Sequence, residues 1–481
     1  MTMLEQQPDR RRWLSTAACG FAGIAAAALQ AQHADAANTG FSAAMPRTHI
    51  PPRAKRIIFL FMQGGVSQVD SFDYKPVLAR RHGDELTFDD ARQLAKTGQP
   101  TRHRLMQSPW RFRPYGQCGR MVSDLFPCTA QRVDDLCFLH AMHTEGVAHG
   151  PATLFLHCGS TNFVRPSFGS WVYYGLGTEN SDLPGFVTIA PSLGNGGPRN
   201  YGSAFLPARY QGTRIGAAGD APMRIEGLDS SSADPQRQAD TVALLQRLNH
   251  HQRTRRDPLA RELDAAVESV GLAWRMQQVA PEILDLDRES AATHRLYGLD
   301  DPHTRPFGEK CLLARRLCEQ GVRFIQVNYG DNSANPAWDQ HSNLPKHADH
   351  ARAVDRPIAA LLTDLKNRGL LDDTIVWWGG EFGRTPYAQN NGTGRDHNPG
   401  GFTVWLAGGG FRPGWAHGRT DEFGFQGIEG KVHMHDLHAT LLHQLGLDHE
   451  RLTYRYAGRD FRLTDVYGRV VHDILDSPAG S

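Results

Sequence analysis

The feature that most constrains this chain is a set of short, mostly apolar runs of strand length, several of which stop abruptly at polar residues or glycines. RIIFLFM, residues 56–62, ends at Gln63-Gly64-Gly65, and the runs at 136–141, 186–190, 322–329, 374–378 and 402–407 have the same form. A strand with one wet face alternates apolar and polar residues, whereas a run without alternation suits a strand buried on both faces. Segments 236–248, 259–280, 309–319, 351–368 and 436–445 carry helical periodicity and many good helix formers. Strands interleaved with helices predict an α/β fold, with a mostly parallel central sheet and helices on both faces. The helical span from about 222 to 307 reads as an insertion into that fold.

At 481 residues the chain is long enough to bury a large core. Its 52 basic residues balance 51 acidic ones, so no overall field exists to hold nucleic acid, and none is expected as a partner. The first 36 residues read as an export signal rather than structure. Arg10, Arg11 and Arg12 precede an Ala-rich stretch at 17–29, and Ala34-Asp35-Ala36 supplies small residues for cleavage near Ala37. This is a twin-arginine type of signal, which makes the twin-arginine export machinery a partner and the periplasm or the exterior the destination. The Ala-dominated run falls short of the about 20 strongly apolar residues of a membrane span, so no stable span is expected after cleavage. Residues 37–55, with three prolines, read as a linker, and the domain proper as 56–475. Proteins exported already folded often carry a cofactor loaded beforehand, which points toward a metal.

Six cysteines follow the signal, none in a CxxC pair, which argues against a zinc ribbon or a redox motif. Cys118 and Cys128 are a conceivable disulfide in an oxidising compartment, and Cys311 and Cys318 read as core residues.

The chemistry-bearing residues gather where the runs stop. In open α/β sheets, ligands sit beyond the carboxyl ends of the strands. After the first run come Ser67, Gln68, Asp70 and Asp73; after the second, His143, Glu145 and His149, the last just ahead of Pro151 at an expected helix start. The positive end of that helix suits an anion. Asp339 and His341 follow the run at 322–329 and have the donor types for a divalent ion, or else belong to a solvated loop. Glu381 and Arg384 follow the run at 374–378, and Arg395, Asp396 and His397 lie beyond a glycine-containing loop. His157 reads as packed, Asp436 as a first-turn helix charge, and His438 and His443 as flanking residues of the last helix.

Taken in order, GGVSQVDSFDYKP, WDQHSN, GGEFGRTP, GRDHNPGGFTVWLAGGG and HDLHATLLHQLGLDH resemble the motifs of the twin-arginine-exported bacterial family DUF1501. That family looks like a divergent branch of the alkaline phosphatase-like superfamily, which includes sulfatases. The resemblance implies an alkaline phosphatase-like sandwich and metal-dependent transfer of phosphate or sulfate esters, with a small-molecule or polysaccharide anionic ester as substrate.

Carried over residue by residue, the resemblance implies an altered site. The metal-binding carboxylate expected after the first strand is Gln63 here, with Asp70 able to substitute only by reaching back. The nucleophile position, two before a helix-starting proline, is His149, and an expected Asp-His pair is Glu381-Phe382, which keeps the carboxylate as a metal-ligand candidate and loses the imidazole. The following histidine is kept as His397, and Asp339 and His341 complete one metal site. The ion would be zinc, manganese or calcium. Arg384 or Arg395 would stabilise developing charge, and His149 would be nucleophile or general base. The same resemblance admits a second class, a catalytically degenerate exported protein that binds or assembles on this fold.

Overall fold

A computed structural model of the chain describes residues 48–88, 102–219, 223–225, 235–252, 258–389 and 392–476. The signal expected over 1–36, and the first part of the linker expected over 37–55, lie outside the described residues.

Six strands form the body of one sheet: β1 (Arg56–Met62), β2 (Leu136–His143), β3 (Phe186–Ile189), β4 (Thr213–Ile215), β5 (Phe324–Tyr329) and β6 (Thr374–Gly379). A ribbon, β7 (Gly383–Ala388) and β8 (Arg395–Asn398), precedes β9 (Phe402–Ala407); the short β10 (Ala416–His417) and β11 (Val432–His433) complete the set. The nine-stranded sheet runs in the order β10-β2-β9-β6-β1-β5-β3-β4, with β11 also paired to β2. All of these pairings are parallel except those of β9, which runs antiparallel to both β6 and β2.

The apolar runs have the predicted cause. Along β1, Ile58, Leu60 and Met62 join one core cluster and Ile57, Phe59 and Phe61 the other, so successive side chains feed opposite faces. Phe59 stacks on Trp377 of β6 at 3.7 Å. Burial of such a side chain contributes about 1.5–3 kcal/mol, so a polar residue anywhere in β1 would be costly. One face is covered by α6 (Arg305–Glu319) and α7 (His347–Asn367), the other by α2 (His149–Cys158), α3 (Phe168–Leu176) and α8 (Met434–Gln444). A single short turn of helix, α1 (Gln68–Ser71), follows β1.

Within the span 222–307, α4 (Pro235–Gln252) packs on α5 (Pro258–Leu284), and the end of α5 sets Met276, Ala280 and Ile283 into the first core cluster. Among the described residues, no helix is long and apolar enough to cross a membrane. The six described cysteines are free; Cys118 and Cys128 form no disulfide, and Cys311 and Cys318 are core residues.

The topology brings distant segments to one edge. β1, β5 and β6 are parallel, with Phe61 opposite Gly379 and Met62 opposite Tyr329, so residues 63–65, 330–341 and 380–382 emerge together. Because β9 is reversed, its start joins them, and Phe402 lies opposite Met142 near the end of β2. Residues before β9 and after β2 therefore reach the same edge. Around the glycine-containing loop expected ahead of Arg395, Gly383–Ala388 and Arg395–Asn398 form the β7–β8 ribbon, in which Arg384 pairs with His397.

Candidate metal centre at the sheet edge

Two glycines make the edge compact. Gly64 and Gly65 have φ of +113° and +78°, a region that favours residues without Cβ. A Cβ on Gly64 would lie 2.7 Å from the Trp338 nitrogen and 2.8 Å from the Asp339 nitrogen; one on Gly65 would strike the Phe382 ring. The loop after β5 thus lies directly on the turn after β1. The freed Gly64 N–H donates to both Glu381 oxygens, at 2.9 and 3.1 Å.

Around this turn, His149, Asp339, His341 and His397 each direct one ligand-type atom into a common space, all within 4.8 Å of one another. Asp339 is the hub. Its Oδ1 lies 2.8 Å from His341 Nε2, 3.1 Å from His397 Nε2 and 2.7 Å from Arg384 Nη2, while Oδ2 lies 3.1 Å from His149 Nε2. The Nε2 atoms of His341 and His397 face each other at 3.0 Å.

The outward nitrogens are all fixed by oxygens. His149 Nδ1 donates to Glu381 Oε1 at 2.7 Å, His341 Nδ1 to Gln389 Oε1 at 2.5 Å, and His397 Nδ1 to the Val147 carbonyl at 2.9 Å. A neutral imidazole has one N–H, and an oxygen at Nδ1 claims it; Nε2 is then a lone pair. Rings held in this neutral tautomer would offer three Nε2 lone pairs to an ion seated against the carboxylate. His149 Nε2, although in ion-pair range of Asp339, is buried and makes no hydrogen bond. The four side chains are arranged so that they could hold a metal ion.

Electrostatics follow the geometry. Burial alone would raise the Asp339 carboxyl, but the three imidazoles and Arg384 outweigh it and hold it well below the ordinary range. Burial, opposed by Asp339 and reinforced by Arg384 and His149, pushes His397 down to about 4, so this ring is neutral at physiological pH. Burial also lowers His149, yet Asp339 and Glu381 reverse the balance and raise it. Phe382 lies against His397, with ring centroids 4.3 Å apart, and against His149 at 5.1 Å.

The other sequence candidates stand outside this group. Glu381 grips Gly64 and His149 rather than offering an oxygen to the common space. Asp70, expected among the ligands, instead pairs with Arg395 through both oxygens, at 2.6 and 3.1 Å, in a fully buried contact. Arg395 also donates to the carbonyls of Thr385, Met106 and Gln107, which leaves it no reach toward an anion. Arg384, fully buried, donates to Asp339 and to the carbonyls of Gly64, Gly65 and Arg395; it braces the hub rather than awaiting a ligand. Sequence reasoning missed Gln389 and the Val147 carbonyl. Gln389 follows β7 directly, but nothing in its local sequence ties it to His341.

Fold and site together define an α/β protein with a histidine–carboxylate cluster at the carboxyl edge of its sheet. The chain belongs to the family described as "Protein of unknown function (DUF1501)", whose model matches residues 54–475. No curated protein matches it. Among solved structures, it is similar to a phosphonate monoester hydrolase from Silicibacter pomeroyi, at 12% identity and a TM-score of 0.33, covering 89% of this chain and 78% of that one. A protein in the alkaline phosphatase superfamily from Vibrio parahaemolyticus matches at 10% identity and a TM-score of 0.33, covering 92% and 76%. The sulfatase PsFucS1 from Pseudoalteromonas sp. matches at 12% identity and a TM-score of 0.34, covering 83% and 69%.

Proposed function

We propose that this protein is an exported, metal-dependent hydrolase of phosphate or sulfate esters, with His149, Asp339, His341 and His397 holding the ion. The observation that carries this reading is the convergence of three imidazole Nε2 atoms on Asp339, each ring fixed from behind by an oxygen. A divalent ion in such a site supplies Lewis-acid polarisation of an ester oxygen and lowers the pKa of water.

The chain's own residues set the rest. Glu381, Gln389 and the Val147 carbonyl hold the rings in one tautomer, and Arg384 keeps Asp339 ionised and aimed. His341, with 27% of its side chain exposed, gives the group its opening to solvent, so an ester would approach over that ring. His149 heads α2, whose Ala148 N-cap has no side-chain cap, and the helix's positive end would face the ester's anionic group. Because the His149 ring is already held between Glu381 and Asp339, we assign it to the ligand set, and the attacking group would be water.

A second reading, a non-catalytic exported binding or assembly protein, is favoured by one observation. Both arginines expected to stabilise substrate charge have donors committed to protein oxygens. The deciding experiment assays the purified protein against aryl phosphates, phosphodiesters and sulfate esters, before and after chelation and with metals restored. Turnover lost on chelation and regained with metal supports the hydrolase. Bound metal without turnover on any ester would leave the binding protein.

A further inference from the structure

Resting on that metal-binding reading, we infer that the site selects a nitrogen-preferring transition-metal dication of the zinc class and discriminates against calcium and magnesium. The donor set is three imidazole nitrogens and one carboxylate. Calcium takes six to eight oxygens and magnesium an octahedron of oxygens and waters, whereas imidazole suits zinc and its first-row neighbours.

The decisive point is where the nearby oxygens are spent. A calcium shell would need Glu381, Gln389, Asp396 and Asp70, or carbonyls such as that of Val147. Glu381 is engaged by the Gly64 N–H and His149, Gln389 Oε1 by His341, and the Val147 carbonyl by His397. Asp396 accepts from the His397 backbone N–H, and Asp70 is closed by Arg395. The oxygens that could serve a hard cation hold imidazole rings, backbone N–H groups or an arginine instead. Arg384 further offsets the charge of Asp339, the one carboxylate in the set, and so weakens the purely electrostatic attraction on which calcium depends.

The test uses the full chain, stripped of metal and titrated separately with zinc, cobalt(II), calcium and magnesium by calorimetry and chelator competition. Zinc is expected to bind at least about 100-fold more tightly than calcium or magnesium, in line with ligand softness. Cobalt(II) should develop visible absorption bands of a nitrogen-ligated, low-coordinate ion. His341→Ala, at the partly exposed ring, should weaken zinc by about 30-fold or more while leaving the melting of the metal-free protein unchanged. Calcium or magnesium binding within about tenfold of zinc overturns the selectivity. Ester hydrolysis supported by calcium alone would also overturn it while leaving the proposed activity standing. Failure of every metal to bind would remove both.

Discussion

Two groups of histidines in this molecule use the same side chain in opposite ways. At the sheet edge, His149, His341 and His397 turn Nδ1 outward to an oxygen and bring Nε2 together at Asp339. On the face between α2 and α8, His157 Nδ1 donates to the Thr153 carbonyl, His438 Nε2 to the Leu156 carbonyl and His435 Nε2 to the Gly159 carbonyl. The remaining nitrogen of each is buried without a partner, and the rings lie among aromatics such as Phe59, Phe61, Phe155 and Phe168. The first group points its second nitrogens at a common space. The second leaves them buried and unpaired among packed rings, where an imidazole serves as a flat core residue with one hydrogen bond. What separates a candidate metal centre from packing is the direction of the second nitrogen, which neither residue type nor burial reports.

The largest expected effect that tests this contrast is Asp339→Ala. It removes the hub of the first group and leaves the buried Arg384 charge without its carboxylate, so unfolding free energy should fall by about 3–5 kcal/mol in denaturant titrations, with metal binding lost. A stable, metal-binding variant would deny Asp339 its central place.

Acid should then strike the second group. Burial pushes His157 down to about 4 and His438 to about 3, below the ordinary value of 6.5. These rings fold neutral but are protonated more readily in the unfolded chain. Their contribution is therefore complete above pH 6.5 and declines as pH falls toward the folded values, by about 1.4 kcal/mol per pH unit per ring. Stability curves of the wild type and His438→Gln between pH 7 and 4 should diverge in slope. Parallel curves would mean that His438 does not titrate on unfolding.

Glu381→Gln probes the outer oxygens of the first group. Metal affinity should fall by about 10- to 100-fold in competition titrations, since the ring of His149 loses its charged acceptor. The smallest effect is expected from His438→Gln on metal affinity, a change below about threefold, because distant sites act independently. A large loss there would erase the distinction between the groups.

Much of the sheet was legible in the chain because β1, β6 and β9 are buried on both faces and have no polar register to hide them. The convergence of His149, Asp339, His341 and His397 was legible in part, since strand ends mark where polar residues meet. Their partners were not. Asp70 and Glu381 look alike as carboxylates after a strand, yet one closes on Arg395 and the other on His149, and that choice depends on contacts between segments hundreds of residues apart. The Val147 carbonyl has no sequence signature at all, because every residue carries one. The β7–β8 ribbon escaped for a local reason: Gly383, Pro386 and Gly394 are weak strand formers, and the pairing is sustained by the Asp70–Arg395 contact and the hub beneath it.

Gly64 and Gly65 carry no functional group, yet the atoms crowding their missing side chains include the Asp339 backbone nitrogen and the Phe382 ring. In a saturation mutagenesis experiment these two positions would tolerate as few replacements as the histidines do. Intolerance to change along this chain would therefore mark two kinds of site, those that supply chemistry and those that must supply nothing.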